Sequence, residues 1–270
     1  MRSTMKLVLL AALVFGLALP CYAEKIVIEG STTVLPIAQK TAEVFMQKNP
    51  GANISVRGGG SSVGIASLID KTCDIADASR AIKDTEMEKA VAVGVDPKAH
   101  IVALDGIAVI VNPANSVSAL TRQQIKDIFT GKISNWDEVG GSGGKIVAVS
   151  RDTSSGTFEA FGELVLKGAK VRPDAIMQAS NQAVASTVSR TPGAIGYVGL
   201  GYMSSGVKAL EVDGVMPSKE TVLSTKYPVT RPLFMYTNGQ PQGMVKEFLD
   251  FVKGAEGQKL VEGLGFVGLK

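Results

Sequence analysis

Three connections between strand-like and helix-like segments share one composition, and they constrain the fold more than any other feature. They lie at residues 30–33, 58–64 and 151–157, and each follows or lies close to a strand pattern and opens a run with helical spacing. A helix N-terminus offers unpaired N–H groups and a positive dipole end. Ser and Thr add hydroxyl donors, and Gly lets the backbone come close. Three such turns, one beginning with an arginine, predict one oxyanion site built from several loops.

The first third of the chain repeats a strand followed by a helix three times. Strands are predicted at 25–28, 53–57 and 74–78, and helices at 33–48, 62–69 and 84–93. This order favours an α/β layer with a largely parallel sheet. Ligands of such sheets bind at the carboxyl ends of the strands. The first two connections and residues 78–80 fall at that edge, so we expect them to converge.

The rest of the chain predicts a second strand–loop set and a return to the first. Strands are predicted at 101–112 (interrupted at Asp105-Gly106), 146–150, 194–198 and 231–237, and helices at 121–129, 158–166, 183–189, 243–252 and 256–264. Two sets indicate two lobes, joined by strands at 107–111 and 233–236. We predict one lobe from 24–108 plus 232–270 and the other from 109–231.

The N-terminus is typical of a secretory signal peptide. Arg2 and Lys6 precede an apolar run over 7–19 that is short for a membrane span, and cleavage is expected after Ala23. The mature chain is then expected outside the cytoplasmic membrane, in the periplasm. Lipid anchoring through Cys21 is the alternative, although Pro20 directly before the cysteine fits a lipoprotein poorly.

Composition excludes several function classes. Removing residues 1–23 leaves 26 of the 28 Lys and Arg residues against 25 acidic residues, so the charge gives no reason to invoke nucleic acid. His100 is the single histidine and Cys73 the single cysteine of the mature chain, which argues against a histidine-rich metal site and an internal disulfide. No metal-ligand spacing and no phosphate-loop lysine motif occurs, so no cofactor is expected.

Six motifs, in order along the chain, resemble one family. They are Gly-Ser-Thr-Thr-Val from residue 30, Gly-Gly-Gly-Ser-Ser-Val-Gly-Ile from 58, Asp-Ile-Ala-Asp-Ala-Ser-Arg from 74, Gly-Lys-Ile-Ser-Asn-Trp from 131, Ser150-Arg151 with Ser155-Gly156-Thr157, and Pro-Gly-Ala-Ile-Gly-Tyr from 192. From about residue 25 to 270 the chain closely resembles the PstS-type phosphate-binding proteins, the substrate-binding components of phosphate ABC transporters. The resemblance implies a two-lobed periplasmic-binding-protein (type II) fold with a two-strand hinge. It also implies inorganic phosphate in the cleft, a membrane permease as partner and a monomer.

Position by position, the resemblance implies a phosphate site with donors from both lobes. Its predicted residues are Ser31, Thr32, Thr33, Ser61, Ser62, Ser79, Arg80, Arg151, Ser155, Gly156 and Thr157. Some members hold an aspartate where Ser79 stands, and that carboxylate accepts the phosphate proton and helps to reject sulfate. Here Arg80 follows Ser79 and is expected to add bidentate hydrogen bonds to the anion. Asp77 or a backbone carbonyl is a candidate for the missing acceptor.

Other functions remain open from the residues alone. A broader receptor for tetrahedral oxyanions such as sulfate would use the same donors. A phosphate-ester enzyme would need a nucleophile with a base, or a metal cluster. An extracytoplasmic adhesin or sensor is a third possibility that no motif supports.

Overall fold

The fold is described here from a computed structural model over residues 24–269, so the predicted signal peptide and Cys21 lie outside the described residues. The strands are β1 Glu24–Gly30, β2 Ala52–Gly58, β3 Ile75–Ala78, β4 Pro97–Val111, β5 Ala119–Leu120, β6 Val147–Arg151, β7 Ile176–Gln178, β8 Ala194–Gly199, β9 Lys208–Ala209, β10 Glu211–Val212 and β11 Thr230–Asn238. The helices are α1 Leu35–Lys48, α2 Ser61–Ile69, α3 Asp84–Ala92, α4 Arg122–Thr130, α5 Gly156–Phe161, α6 Asn181–Arg190, α7 Lys219–Leu223, α8 Gly243–Lys253 and α9 Ala255–Gly263.

The main sheet is mixed, with parallel strands on both sides of a central antiparallel group. Its order is β2-β1-β3-β11-β4-β8-β6-β7, and β9 pairs with β4. β1 lies parallel between β2 and β3, as the strand–helix repeat predicts. β6 lies parallel to both β7 and β8. The α/β prediction is therefore confirmed, and the connections after β1, β3 and β6 leave the carboxyl ends of parallel strands.

β4 is the strand that joins the two halves of the sheet. Its first part pairs antiparallel with β11, where Gly106 is opposite Thr230, and its second part pairs with β8, where Ile107 is opposite Gly199. We expected Asp105-Gly106 to interrupt a strand, but β4 runs through both residues. The polar break in the sequence marks the point at which the strand changes partners.

Within residues 24–269 the buried apolar residues form four clusters, and the two largest lie on opposite sides of this point. One core contains Val102, Leu233 and the apolar faces of α1, α8 and α9. Another contains Ile107, Val229 and the apolar residues of α4. This division fits two lobes, because a single core running across the strand change would have placed these residues in one cluster. The exact lobe boundaries at 108/109 and 231/232 remain a prediction.

Local sequence explains the starts of α1 and α4. α1 begins two residues later than expected, at Leu35, with Pro36 in its first turn where a missing N–H costs little. Thr121 caps α4 by accepting a hydrogen bond from the backbone of Gln124, as predicted. The expected helix over 158–166 is instead α5 followed by one π-helical stretch, Gly162–Leu166. Across residues 24–269, no helix combines the length and apolar character needed to span a membrane.

Candidate functional site

Backbone hydrogen bonds tie the first two predicted loops to the end of β3. The Ser31 N–H donates to the carbonyl of Asp77 at 2.8 Å, and the N–H groups of Gly59 and Gly60 donate to the Gly30 carbonyl at 2.8 and 2.9 Å. Gly30 has φ of 140° and lies so close to Asp77 that a Cβ would stand 2.2 Å from its carbonyl oxygen. The loops after β1, β2 and β3 therefore converge, as the sheet argument predicts.

The third loop lies directly against the second. The Ser62 N–H donates to the Ser154 carbonyl at 3.1 Å. The Ser154 hydroxyl donates to the Gly59 carbonyl, also at 3.1 Å. A Cβ on Gly60 would stand 2.5 Å from the Ser154 carbonyl oxygen. These contacts join residues from opposite sides of the strand change in β4, so the two halves of the molecule are closed around the loops.

Five of the predicted residues meet at this junction. The hydroxyl oxygens of Thr33 and Thr157 are 2.9 Å apart. The Ser79 N–H donates to the Ser61 hydroxyl at 3.0 Å. Gly156 packs against both serines, because a Cβ there would stand 2.2 Å from Ser61 Oγ and 2.8 Å from Ser79 Oγ. The site therefore combines hydroxyl groups from both halves around a backbone that only glycine allows.

Three more of the predicted hydroxyl residues lie in the segments that lead into helices α1 and α5. Ser155 accepts the N–H groups of Thr157 and Phe158, both at 3.2 Å, and so caps α5. Ser31 accepts the Thr33 N–H at 3.1 Å. Thr32 is also buried, and its hydroxyl receives a hydrogen bond from α6. All three belong to the same loops as the central residues.

Arg151 brings a buried positive charge to the end of β6. It is 1% exposed. Its Nε donates to the Gln178 carbonyl at 3.1 Å and its Nη2 to the Ala179 carbonyl at 3.0 Å. Within residues 24–269, its Nη1 has no acceptor. Burial lowers the pKa of Arg151 although the Asp152 charge opposes this, yet a guanidinium stays protonated in proteins. A buried cation without a carboxylate partner suits an anion.

The Arg80 guanidinium pairs with carboxylates, whereas we expected it to bind the anion. Its terminal nitrogens donate to both carboxylate oxygens of Glu86, at 2.8 and 2.7 Å. Its Nε lies 2.6 Å from Glu159, and Lys83 lies 2.8 Å from the same Glu159 oxygen. Ser62 bonds to Arg80 and to Glu159 rather than pointing at the hydroxyl cluster. The expectation of an Arg80 that grips the anion bidentately therefore needs correction, since two carboxylates already occupy its guanidinium.

This ionic cluster links the two halves at the rim of the site. Glu159 belongs to α5, whereas Arg80 and Lys83 lie between β3 and α3. Arg80 and Glu159 line a cavity of about 640 Å³ that also reaches Ser79 and Arg231. The burial of Glu86 would raise its pKa, but hydrogen bonds from Arg80 and from the backbone of Lys83 hold the pKa below its usual value. The Glu86 carboxylate is therefore charged at neutral pH.

Sequence reasoning missed Arg231, the second buried arginine of the site. Its Nη2 donates to Thr157 Oγ1 at 3.0 Å and to Thr33 Oγ1 at 3.3 Å, so one side chain from β11 contacts hydroxyls of both halves. Asp105 holds it through bonds of 3.1 and 2.9 Å from Nε and Nη2 to one oxygen. Burial raises the pKa of Asp105 although the Arg231 charge opposes this. The only signal in the sequence was that Asp105 and Arg231 are charged residues within strand patterns that are mainly apolar.

Two further polar residues from the second half were also missed. Asn181, the first residue of α6, donates from Nδ2 to Thr32 Oγ1 at 3.2 Å and to Thr33 Oγ1 at 3.0 Å. The Tyr202 hydroxyl donates to the Thr32 carbonyl. The sequence predicted this helix only from residue 183, so Asn181 was not expected in it. No local pattern showed that Asn181 would reach a turn about 150 positions earlier.

Asp77 is fully buried, and neither of its carboxylate oxygens has a hydrogen-bond partner among residues 24–269. Burial raises the pKa of Asp77 well above the usual carboxyl range. The Asp77 side chain therefore makes none of the hydrogen bonds that hold the site together. Its main-chain carbonyl contributes instead, through the bond from Ser31.

The fold and the loop-built anion site define a class of protein, and the comparisons agree with it. Residues 20–256 match the profile of the family described as "PBP superfamily domain". The phosphate-binding protein PstS of Bacillus subtilis is 37% identical over 238 residues, which cover 87% of this chain and 77% of that protein. PstS of Borreliella burgdorferi is 36% identical over 260 residues, which cover 92% of this chain and 91% of that protein. The chain belongs to the PstS family of phosphate-binding proteins.

Solved structures extend this result to the whole fold. A Clostridium perfringens protein crystallised with bound phosphate superimposes with a TM-score of 0.86 at 36% identity, over 92% of this chain and all of that chain. An ABC-type phosphate transport receptor from Vibrio cholerae gives 0.75 at 32% identity, over 90% of this chain and all of that one. The predicted two-lobed periplasmic-binding-protein fold and the family resemblance are confirmed.

Proposed function

We propose that this chain binds inorganic phosphate between its two lobes, outside the cytoplasmic membrane, and delivers it to the permease of an ABC transporter. The observation that carries the proposal is Arg151, a buried guanidinium with an unsatisfied Nη1 beside converging hydroxyl loops. An ionised oxyanion would satisfy this nitrogen and balance its charge. The PstS relatives and the phosphate bound in a related crystal structure support phosphate as the anion.

The proposed ligand groups come from the four connections after β1, β2, β3 and β6. Thr32, Thr33, Ser61 and Ser79 act from one lobe, and Arg151, Ser155, Gly156 and Thr157 act from the other, with Ser31 ordering the first turn. Arg80 and Ser62 lie at the rim, where they bond to Glu86 and Glu159 and hold the two lobes together instead of binding the ion directly. Because the loops touch across the lobes, a bound ion would be surrounded by protein donors and separated from water. A hinge between the lobes would admit and release it.

The organisation around this site completes the proposal. We place the lobes at 24–108 plus 232–270 and at 109–231. The chain is exported by cleavage after Ala23, and the exported form acts as a monomer without catalysis. The single histidine supports binding without turnover, because His100 pairs with the Thr237 hydroxyl at 2.8 Å rather than with a hydroxyl of the site.

A broader tetrahedral-oxyanion receptor is the second candidate. The observation that favours it is Ser79, a neutral residue at the position where some relatives hold a carboxylate that helps to reject sulfate. Sulfate and phosphate differ here in the proton that phosphate retains. A direct competition between the two ions therefore separates the candidates.

The test is a calorimetric titration of phosphate-stripped protein with phosphate, repeated in saturating sulfate. The proposal expects one-to-one binding that sulfate leaves unchanged. Binding abolished by sulfate would support the broader receptor, and an absence of binding would refute both. Arg151→Ala should weaken binding by about 10- to 100-fold, since hydrogen bonds to charged groups contribute about 1.5–3 kcal/mol. Unchanged affinity in this variant would contradict the assignment of Arg151.

A further inference from the structure

Two of the six sequence motifs supply no residue to the proposed phosphate site. They cover residues 131–136 and 192–197. The Trp136 indole N–H donates to the Gly193 carbonyl at 3.0 Å, so the two motifs contact each other. Trp136 and Tyr197 are also buried in the same apolar core, the one that contains Ile107. The two motifs therefore form one unit within the second half of the molecule.

This unit holds β6 at both ends. At the start of the strand, the Val147 N–H donates to the Gly193 carbonyl at 2.9 Å. At its end, the Arg151 N–H donates to the Tyr197 hydroxyl at 3.2 Å. The parallel pairing of β6 with β8 covers only residues 147–148 of β6, so it stops before the last part of the strand. On the β8 side, the Tyr197 side chain therefore takes the place of a strand partner for Arg151.

The Tyr197 hydroxyl belongs to a short chain of hydrogen bonds around the main chain of Arg151. Its oxygen lies 2.8 Å from Ser150 Oγ, and Ser150 Oγ donates to the Arg151 carbonyl at 3.4 Å. Burial raises the pKa of Tyr197 to about 12, so the hydroxyl keeps its proton at neutral pH. A hydroxyl that accepts from the Arg151 N–H can donate this proton to Ser150, which leaves the Ser150 proton for the Arg151 carbonyl. Both main-chain polar groups of Arg151 then have a partner.

The Tyr197 ring is fixed by the helix that begins in the third loop. It stacks on Phe161, with the ring centroids 3.9 Å apart and the ring planes within 7° of parallel. Phe129 packs against the same ring at a centroid distance of 5.5 Å. Tyr197 is fully buried, so close packing leaves its ring no room to turn. Phe161 ends α5, whose first residues Gly156 and Thr157 belong to the proposed site, and Tyr197 therefore connects the end of β6 with this helix.

The direction of the Arg151 guanidinium depends on where its main chain lies. Its Nε and Nη2 donate to the carbonyls of Gln178 and Ala179 at the end of β7. These bonds keep their geometry only while the main chain of Arg151 stays at a fixed distance from β7. A strand end released from Tyr197 would have to be ordered again when an anion binds, and the free energy of that ordering would weaken binding.

We infer that Tyr197 is a positioning residue of the phosphate site, which orients Arg151 through its main chain without touching the anion. This inference rests on the proposed function, because it concerns Arg151 as the buried cation that meets phosphate. The Tyr197 hydroxyl accepts from Arg151 and donates its one proton to Ser150, so it has no proton left for a ligand. The motif at 192–197 therefore contributes to phosphate affinity although it supplies no ligand group.

The experiment measures the Kd of inorganic phosphate by calorimetry for Tyr197→Phe, made both in the unmodified protein and in Arg151→Ala. Phenylalanine keeps the stacked ring and removes only the hydroxyl. In the unmodified protein we expect Kd to rise about three- to tenfold, which corresponds to the loss of one ordinary hydrogen bond. Arg151→Ala has no guanidinium to orient, so Tyr197→Phe should change its Kd by less than about twofold.

Tyr227→Phe is the matched control. Tyr227 is also buried in the core that contains Ile107, and its hydroxyl donates to the Ile107 carbonyl at 2.9 Å. Both variants remove one buried hydroxyl together with its hydrogen bonds, so both should lower the midpoint of urea unfolding. Only Tyr197→Phe should weaken phosphate binding, because Tyr227 bonds to β4 and not to the end of β6. This difference separates a positioning role from a general loss of stability.

Each outcome decides the inference. An unchanged Kd in Tyr197→Phe would overturn it, and so would an equal rise of Kd with and without Arg151 or an equal rise in Tyr227→Phe. If Tyr197→Phe does not fold, Ser150→Ala replaces it, because this variant removes the hydroxyl that receives the Tyr197 proton and keeps every ring. A Ser150→Ala variant with unchanged Kd would overturn the inference as well. In all these cases the unmodified protein still binds phosphate and the proposed function stands, whereas its failure to bind phosphate would refute the proposed function itself.

Discussion

Glu159→Gln is the most informative perturbation of the rim, because it removes one charge from the contact between the lobes. One carboxylate oxygen of Glu159 lies 2.6 Å from Arg80 Nε and 2.8 Å from Lys83 Nζ. The Arg80 and Glu159 side chains are 8% and 18% exposed, and Lys83 is half exposed. If the lobes separate on release of the ligand, these pairs must break. The variant should therefore destabilise the closed form specifically.

The magnitude follows from the partial burial of the pair. Exposed ion pairs contribute about 0.2–1 kcal/mol, whereas breaking a fully buried pair costs about 3–5 kcal/mol. Glutamine keeps an acceptor for Arg80, and Glu86 still balances the Arg80 charge. We therefore expect a loss near 1 kcal/mol, or about a fivefold weaker affinity for phosphate. The loss should appear mainly in the dissociation rate, because the pair forms only after the ligand is enclosed.

Stopped-flow release of phosphate and calorimetry at low and high salt would measure this effect. Glu163→Gln is the matched control, since Glu163 lies four residues further along and is exposed. The Glu163→Gln variant removes the same charge near the anion, whereas Glu163 itself has no ion pair within residues 24–269. If Glu159→Gln leaves the dissociation rate unchanged, or if both variants change it equally, the rim cluster does not hold the lobes together.

Three further predictions concern the interior of the site. Gly156→Ala should abolish tight phosphate binding in calorimetry while the protein stays folded, because its Cβ would stand 2.2 Å from Ser61 Oγ; normal affinity would show that the loops do not close as described. Asp105→Asn should destabilise the protein by about 3–5 kcal/mol in urea unfolding, because Arg231 would lose its buried carboxylate; a loss below about 1 kcal/mol would show that the pair is weakly coupled. Asp77→Asn should stabilise the protein at pH 7 and make its stability less dependent on pH. Burial raises the Asp77 pKa in the folded state above its unfolded value. The unfolded carboxyl therefore loses its proton first as the pH rises, which lowers the stability of the parent above the usual carboxyl range. A variant less stable than the parent at pH 7 would contradict an unpaired carboxyl at this position.

Much of the scaffold follows from local pattern. The strand–helix repeat correctly predicted the parallel group β2-β1-β3, because period-two and helical spacing are properties of the segment itself. The same reasoning placed the loops after β1 and β3 at one edge. The partner change within β4 was not predictable, since it depends on how β11 and β8 meet at Gly106 and Ile107.

The polar interior of the site was harder to predict, for a physical reason. The Arg231–Asp105 pair joins positions 126 residues apart, so no window of sequence contains both charges. Arg80 was predicted as an anion ligand from its neighbours, but its direction depends on Glu86 and Glu159, which compete for the same guanidinium. The hydroxyl residues were easier to predict, because Gly, Ser and Thr between a strand and a helix are typical of a turn that places their donors at the helix N-terminus.

The place where β4 changes partners has a consequence for the energy of binding. Asp105 immediately precedes Gly106, and its second oxygen accepts the Leu200 N–H at 2.9 Å, so the carboxylate is anchored where the two cores meet. Displacements are smallest close to a rotation axis, and we expect this axis to pass through the crossing strands. Arg231 and Asp105 would then stay dehydrated and paired whether the lobes are open or closed. The dehydration of this ion pair would be completed during folding, and phosphate would meet a polar floor that does not have to reorganise.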